Sequence, residues 1–326
     1  MKFDTIIIGG GLTGLVSGLW LQQQGKRTCI VSYGQTLLHF FSGSFNGENP
    51  DSTIATLLAE AGVKTMAGGY RLTPLGELRP AALTLDGYYH SADSIMKEQS
   101  VAIVRLPKYL GLPIEFLVDS LTAQGKTVSV IAPEAIITTK ADVILVPACK
   151  AGNDLRLQHG NKVSLVAAMP PSIPGQNLHA QLVKRYQQLG GTFIQGDRVM
   201  KSQVGNGRVA YVETEKLTDE RLVADNFILA AGSFQSEGLQ SNYDHVWESV
   251  FCADVDAPTD RTLWTDLDFF ADQPYQHYGV CRDAQGHALV AGTAISNLYP
   301  AGHILGGART DIENLNEALE VCRKLV

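Results

Sequence analysis

The sequence has few cysteines, and none of them stands in a Cys-x-x-Cys pair. Zinc knuckles and iron–sulfur sites need closely spaced thiolates, so no metal site is expected in this chain. Widely spaced cysteines are typical of buried, reduced thiols in a cytosolic protein. The five residues are Cys29, Cys149, Cys252, Cys281 and Cys322.

Clustered positive charge and long apolar runs are also missing. Lys and Arg total 26 against 33 Asp and Glu, which gives a net charge of −7 and argues against a nucleic-acid partner. No stretch reaches the roughly 18 apolar residues of a membrane-spanning helix. An apolar strand pattern begins by Thr5, so we expect no signal peptide. These absences predict a cytoplasmic protein whose membrane contact, if it has any, is peripheral or through a partner.

The composition predicts a compact fold of more than one domain. Hydrophobic residues make up 45% of the chain and charged residues 18%, enough apolar surface to offset the entropy lost on folding. A length of 326 residues exceeds what one ordinary core holds. The pattern changes at about residue 47 and again near 176. We therefore predict a discontinuous domain from 1–46 and 176–326, with 47–175 as an inserted mixed α/β region.

The clearest motif lies near the N-terminus. The apolar run Thr5 to Ile8 predicts a buried strand, Gly9-x-Gly11-x-x-Gly14 follows it, and a helix with an apolar face comes next. Glycines at these spacings allow a tight turn, close approach of the backbone to a phosphate, and close helix–strand packing. The helix N-terminus then offers unpaired N–H groups to the anion. This pattern predicts a dinucleotide-type cofactor held by Gly9, Gly11, Leu12, Thr13 and Gly14.

Ser32 differs from the usual form of this motif. It closes the second predicted strand, where a carboxylate commonly accepts hydrogen bonds from the ribose of an ADP group. A serine hydroxyl accepts a single hydrogen bond and carries no charge. The serine at position 32 therefore leaves two kinds of cofactor possible, FAD and a shorter nucleotide.

Several short segments elsewhere resemble known flavoproteins. Ala230-Ala231-Gly232 follows a buried strand, and Leu298 to Gly302 stands near the end, in the order seen in fumarate reductase-like and glucose-inhibited-division-like oxidoreductases. A closer resemblance, over nearly the whole chain, is to the B subunits of anaerobic glycerol-3-phosphate dehydrogenases. It is carried by Gly9-Gly10-Gly11-Leu12, His39-Phe40, Ser42-Gly43-Ser44, Thr73-Pro74-Leu75-Gly76, Leu78-Arg79, Val146-Pro147-Ala148-Cys149, Pro170-Pro171-Ser172, Gly232-Ser233-Phe234 and Leu305-Gly306-Gly307.

The resemblance implies an α/β fold with a Rossmann-like FAD/NAD(P)-binding domain and an inserted substrate or cap region. It implies a complex with a catalytic A subunit and an iron–sulfur C subunit that anchors the complex at the inner face of the cell membrane. Glycerol-3-phosphate would be oxidised to glycerone phosphate, with electrons passing to quinone and then to fumarate or nitrate. FMN is the cofactor that the family suggests, whereas the glycine motif alone suggests FAD.

Further site residues follow from these segments. Ser42, Gly43 and Ser44 stand just beyond the second strand, and Gly232, Gly302 and His303 stand in the later motifs, so we expect all six to contact the flavin. A phosphorylated substrate calls for Arg or Lys, and Arg79 is the first candidate, before Arg71. His39 is the candidate proton acceptor.

Three functions stay open at this point. The first is a flavin-dependent dehydrogenase subunit, which either oxidises the substrate itself or only relays electrons between its partners. The second function is a cofactor-free assembly protein with a flavoprotein fold, and Ser32 favours it. So does the length of the chain, which is shorter than the family after Asn46, around 102–108 and after Gly307. These shorter segments favour the hypothesis that family loops are missing from this sequence. The third function is an NAD(P)-linked reductase, which would leave the flavin-type motif from Leu298 to Gly302 unexplained.

Overall fold

The computed structural model describes residues 2–326. The helices are α1 (Leu12–Gln23), α2 (Ser52–Glu60), α3 (Ile114–Ala123), α4 (Lys150–His159), α5 (Ile173–Gln188) and α6 (Asp311–Lys324). The strands are β1 (Lys2–Ile8), β2 (Thr28–Ser32), β3 (Ser44–Phe45), β4 (Thr65–Ala67), β5 (Tyr70–Leu72), β6 (Leu78–Pro80), β7 (Leu83–Leu85), β8 (His90–Ser91), β9 (Ser100–Val104), β10 (Thr127–Ile131), β11 (Val143–Pro147), β12 (Val163–Val166), β13 (Thr192–Gln195), β14 (Val199–Gly205), β15 (Arg208–Thr214), β16 (Val223–Leu229), β17 (Leu239–Ser241), β18 (Val246–Glu248), β19 (Val255–Asp256), β20 (Gly279–Val280), β21 (Leu289–Val290), β22 (Thr293–Ala294) and β23 (Leu298–Pro300).

The chain folds as two compact units. The first comprises the described residues up to Leu37 together with Asp51–Ala61 and Gln181–Val326, and the second comprises Leu38–Pro50 and Gly62–Ala180. The division falls within α5. The domain bounds predicted from the sequence stay a prediction.

A five-stranded parallel sheet organises the first unit. Its strand order is β13-β2-β1-β16-β23, with β1 in the middle and every pairing parallel. Ile6, Ile7 and Ile8 are buried because a central parallel strand is covered on both faces. The predicted Rossmann-like α/β fold is confirmed.

The two faces of this sheet are covered differently. On one face α1 and α6 pack together, and the Cys322 thiol lies 3.8 Å from the Ser17 carbonyl oxygen. On the other face Phe227 and Leu229 of β16 share a core with Val209 and Val212 of the β14–β15 hairpin. Glu248 is fully buried and accepts hydrogen bonds from backbone N–H groups of Val250, Phe251 and Ala253.

The second unit combines parallel and antiparallel sheets, as the sequence predicts for a mixed α/β region. Its parallel sheet has the order β10-β9-β11-β12. Two three-stranded antiparallel sheets, β3-β7-β4 and β6-β5-β8, complete it. Within residues 2–326 no helix is long and apolar enough to cross a membrane, and no group of three His, Cys, Asp or Glu could hold a metal ion.

Candidate functional site

The turn between β1 and α1 is closed at two glycines and open at a third. A Cβ on Gly9 would lie 2.0 Å from the Ala230 carbonyl oxygen, and a Cβ on Gly14 would lie 2.0 Å from the Gly9 carbonyl oxygen. A Cβ on Gly11 would meet no atom within 4 Å. Gly9 and Gly14 thus serve packing within the protein, whereas Gly11 borders open space through which a ligand can approach the backbone.

The N-terminus of α1 is available to an anion. Its N-cap residue, Gly11, has no side chain to cap the helix, and the first turn contains no acidic residue. The first amides of a helix have no acceptor within the helix, and the helix dipole makes this end positive. Leu12 and Thr13, the first residues of the helix, are half-buried.

Two later glycines belong to the same region of the first unit. Gly302 has a φ of +82°, and a Cβ there would lie 2.7 Å from the Thr13 hydroxyl. The end of β23 therefore abuts the first turn of α1. Gly232 has a φ of +76° and follows Ala231, whose nitrogen lies near Gly9. The fold thus brings Gly9, Gly14, Gly232 and Gly302 to the carboxyl edge of one parallel sheet, where ligands of such sheets bind.

His303 follows Gly302 and is half-buried. Burial lowers the pKa of its imidazole below the usual 6.5; nearby Asp311 opposes this shift and Arg309 adds to it. The ring is therefore neutral at pH 7, with one nitrogen as a donor and the other as an acceptor.

Ser32 lies at the end of β2 beneath the glycine turn. Only 3% of the residue is exposed, and its hydroxyl would lie 2.3 Å from a Cβ placed on Gly10. The hydroxyl is turned towards the turn itself. The site therefore lacks a carboxylate at this position.

Asn314 is a residue that the sequence analysis missed. It is 2% exposed, and neither its amide nitrogen nor its amide oxygen has a hydrogen-bond partner in the described structure. It shares a face of α6 with Ala318 and Cys322, at i+4 and i+8, and Cys322 contacts Ser17 of α1. Both helices run away from the same sheet edge, so Asn314, eight residues before Cys322, is at the level of the glycine turn. The only sign of a functional role for Asn314 is that its buried side-chain amide has no hydrogen-bond partner in the described structure, and this is visible only in three dimensions.

The other predicted cofactor residues belong to the second unit. A Cβ on Gly43, at φ +84°, would lie 2.2 Å from the Tyr88 ring, so this glycine has a packing role. Ser44 pairs with Thr84 across β3 and β7, and both buried hydroxyls are without a partner in the described structure. The role of Ser42, Gly43 and Ser44 in flavin binding stays a prediction.

The predicted catalytic residues also lie in the second unit. His39 is half-buried in a 3-10 turn, Leu37–Phe40, and its carbonyl oxygen accepts a hydrogen bond from the Ser172 N–H. Arg79 is exposed on β6 and forms an ion pair with Glu77 at 2.9 Å. In the register of β5, Arg71 stands opposite Arg79 on one side and His90 on the other. These three basic residues share one face of the small sheet.

Known proteins have sequences similar to that of this chain. The family model described as FAD binding domain matches residues 4–56 and 138–312. The chain is 31% identical over 392 residues to the protein of Yersinia enterocolitica named as the B subunit of anaerobic glycerol-3-phosphate dehydrogenase, covering 94% of this chain and 92% of that protein. The protein of the same name from Actinobacillus succinogenes is 31% identical over 400 residues, covering 94% and 93%. Both alignments are longer than the chain, so these relatives contain internal segments that it lacks.

Solved structures give more distant likenesses. THI4 of Thermovibrio ammonificans is 12% identical with a TM-score of 0.44, covering 99% of this chain and 88% of that one. The GidA-related protein of Thermus thermophilus is 11% identical with a TM-score of 0.41, covering 99% of both chains.

Proposed function

The chain belongs to the FAD-binding domain family and to the family of anaerobic glycerol-3-phosphate dehydrogenase B subunits, and from that membership we propose that it is the flavin-carrying component of such a dehydrogenase. The observation that carries the proposal is the N-terminus of α1, which is uncapped and open at Gly11. Gly9 and Gly14 close the turn so tightly that any side chain there would collide with the backbone. This combination suits a phosphate better than a purely structural turn.

The residues around the turn fit a flavin. The amides of the first turn of α1 would hold the phosphate, and the absence of a side chain at Gly302 lets the end of β23 pack against Thr13 in that same turn. Asn314 offers an adjacent donor and acceptor, which complement the imide edge of an isoalloxazine ring. A bound flavin supplies two-electron oxidation chemistry that the side chains lack. The protein's own part is to orient the ring and to exclude water.

We propose FMN as the flavin because the resemblance to the B subunits suggests it, and Ser32, which stands where a carboxylate would hold an ADP group, leaves FAD without an added gain in affinity. An ADP group would gain at most one neutral hydrogen bond there, worth about 0.5–1.5 kcal/mol. FMN and FAD should then bind flavin-free protein with similar dissociation constants. Fluorescence titrations with riboflavin, FMN and FAD test this, and a large preference for FAD over FMN would contradict it.

The reaction proposed is oxidation of glycerol-3-phosphate to glycerone phosphate, with electrons passing to quinone and onward to fumarate or nitrate. A catalytic A subunit and an iron–sulfur C subunit are the proposed partners, and through them the protein would associate with the inner face of the cell membrane. His39 as proton acceptor and Arg79 as phosphate contact stay proposals. Ion pairing with Glu77 already engages part of the Arg79 charge.

One experiment tests the function and separates two roles within it. The isolated flavin-loaded chain is mixed with glycerol-3-phosphate, and the flavin absorbance band is followed. Bleaching supports direct oxidation. Bleaching only after the catalytic partner is added supports an electron relay, which we favour.

A cofactor-free assembly protein is the second candidate function. Ser32 and the internal segments missing relative to the Yersinia enterocolitica protein favour it. Saturable binding of neither FMN nor FAD would support this alternative and refute the flavin-carrying role.

A further inference from the structure

A loop of the first unit exposes a cluster of large apolar side chains. Phe269 and Phe270 are 85% and 92% exposed, and Leu267 and Leu263 are exposed as well. The two phenylalanine rings contact each other edge to face, with centroids 5.4 Å apart. Single exposed apolar residues are ordinary on a protein surface, whereas a cluster of them in one loop is typical of a binding surface. We call residues 262–276 the aromatic loop.

Hydrogen bonds within the aromatic loop hold its backbone in one conformation. The Asp266 carboxylate accepts a hydrogen bond from the Asp268 N–H at 2.8 Å, and the Asp268 carboxylate accepts one from the Phe270 N–H at 3.0 Å. The Gln273 side chain spans the loop, since its oxygen accepts from the Asp266 N–H and its nitrogen donates to the Asp268 carbonyl oxygen, both at 2.9 Å. A loop that is ordered before it binds loses little conformational entropy on docking.

The aromatic loop lies beside the proposed flavin site, within the first unit. Tyr275, at the end of the loop, packs edge to face on Phe234, with ring centroids 6.1 Å apart, and Phe234 follows the Gly232 motif. The strand after the loop meets the turn that follows β23, because a Cβ on Gly279 would lie 2.1 Å from the carbonyl carbon of Leu305. The loop is therefore joined to both of the later glycine segments at the carboxyl edge of the sheet.

The charge of the aromatic loop indicates what kind of surface covers it. Residues 262–276 contain three aspartates and no Lys or Arg. The adjacent Arg261 lies over the Tyr243 ring, 3.6 Å from its centroid, and His277 is hydrogen-bonded to Asp272. A lipid surface is a poor match, because segments that enter membranes combine apolar side chains with Lys or Arg, which anionic headgroups attract. The matching surface is a protein with an apolar pocket rimmed by basic side chains.

We propose that the aromatic loop docks the catalytic A subunit, an inference that rests on the proposed function. Leu267, Phe269 and Phe270 enter an apolar pocket of that subunit. Asp266 and Asp268 face Lys or Arg side chains at the rim of the pocket. In the electron relay favoured above, the flavin receives electrons from the A subunit, which has to approach the edge of the sheet where the flavin site is proposed. The loop lies beside this edge.

The affinity of the full chain for purified A subunit, measured by calorimetry, tests the docking. Phe269→Ser combined with Phe270→Ser should raise the dissociation constant about 100-fold or more, because two aromatic anchors are lost. The double variant should keep the wild-type melting temperature and flavin affinity, since both side chains are exposed. Phe116→Ser, at a phenylalanine of α3 that is 69% exposed, is the matched control and should leave the dissociation constant unchanged.

Neutralising the loop tests the charge of its partner. Asp266→Asn combined with Asp268→Asn keeps a side-chain oxygen for each N–H hydrogen bond of the turns, so the loop should keep its conformation. This variant should bind the A subunit about tenfold more weakly at low salt, and its affinity should depend less on salt than that of wild type. Wild-type affinity and salt dependence would overturn the basic rim.

Several results would overturn the docking proposal. These are wild-type affinity in the phenylalanine double variant, no binding of the A subunit to the wild-type chain, and loop-dependent binding of the C subunit instead. Loop-dependent dimers in sedimentation velocity would identify a second copy as the occupant. Loop-dependent flotation with vesicles of phosphatidylcholine and phosphatidylglycerol would identify a membrane, and both results would overturn the proposal.

A flavin titration of the isolated chain separates failure of the docking from failure of the proposed function. Loop-dependent binding of the A subunit by a chain that takes up no flavin would support the docking and refute the flavin-carrying role alone. Saturable flavin binding with wild-type affinity for the A subunit in the phenylalanine double variant would refute the docking alone.

Discussion

Replacing Gly11 with alanine should separate folding from cofactor binding. Its φ of −75° and ψ of −172° are accessible to alanine, and a Cβ there meets no protein atom within 4 Å. The free energy of unfolding of the flavin-free protein should therefore change by less than about 1 kcal/mol. A flavin phosphate would meet the new methyl group. Loss of one charge-assisted hydrogen bond, about 1.5–3 kcal/mol, would raise the flavin dissociation constant roughly 10- to 100-fold.

The assay combines thermal unfolding of flavin-free protein with flavin fluorescence titration. Gly205→Ala is the matched control, since a Cβ there also meets nothing within 4 Å but lies on a hairpin strand, and it should leave both measurements unchanged. Gly14→Ala is the opposite case, because its Cβ would lie 2.0 Å from the Gly9 carbonyl oxygen and should destabilise the fold. Wild-type flavin affinity in Gly11→Ala would refute the reasoning.

Three further predictions concern buried or shifted groups. Asn314→Leu removes an unpaired buried amide, so the flavin-free variant should be at least as stable as wild type, which melting curves check. The same variant should bind flavin about tenfold more weakly or worse, which a flavin titration checks. As the pH falls through the ordinary histidine pKa of 6.5, the unfolded chain protonates His303 before the folded protein does, so the free energy of unfolding should decrease as the pH falls, and His303→Asn should reduce this slope in urea unfolding. Hydrogen bonding to Thr53 and pairing with Arg323 lower the pKa of Asp51 to about 2. The carboxylate should therefore stabilise the fold above pH 3.8, and this stabilisation should be lost as the pH falls towards about 2. Asp51→Asn keeps the helix cap and should lack this loss in acid unfolding curves.

The parts of the site that depend on local chain geometry could be predicted from the sequence. The strand from Thr5 to Ile8 and the glycine spacing after it are local patterns, and in the structure Gly9 and Gly14 pack against carbonyl oxygens whereas Gly11 borders open space. The family resemblance, carried by short segments in a fixed order, was confirmed by the comparisons.

Other parts depend on partners that are distant in sequence. The sequence predicts a cofactor contact at Gly43, which stays a prediction, and it does not reveal that the ring of Tyr88 packs against this glycine. Arg71 and Arg79 become neighbours only through strand register. The unpaired amide of Asn314 looks, in sequence, like any polar residue of an amphipathic helix. Burial without a partner is a three-dimensional property, so no periodicity reveals it.

The order of the strands has a consequence for biosynthesis. Strands β1 and β2 leave the ribosome first, yet their neighbours β16 and β13 begin only at Val223 and Thr192, and the edge strand β23 ends at Pro300. Until those residues emerge, the unpaired N–H and C=O groups along the outer edges of β1 and β2 stay open to water and to other nascent chains. Flavin capture at the turn after β1 therefore has to wait until the chain up to and beyond Pro300 has been synthesised.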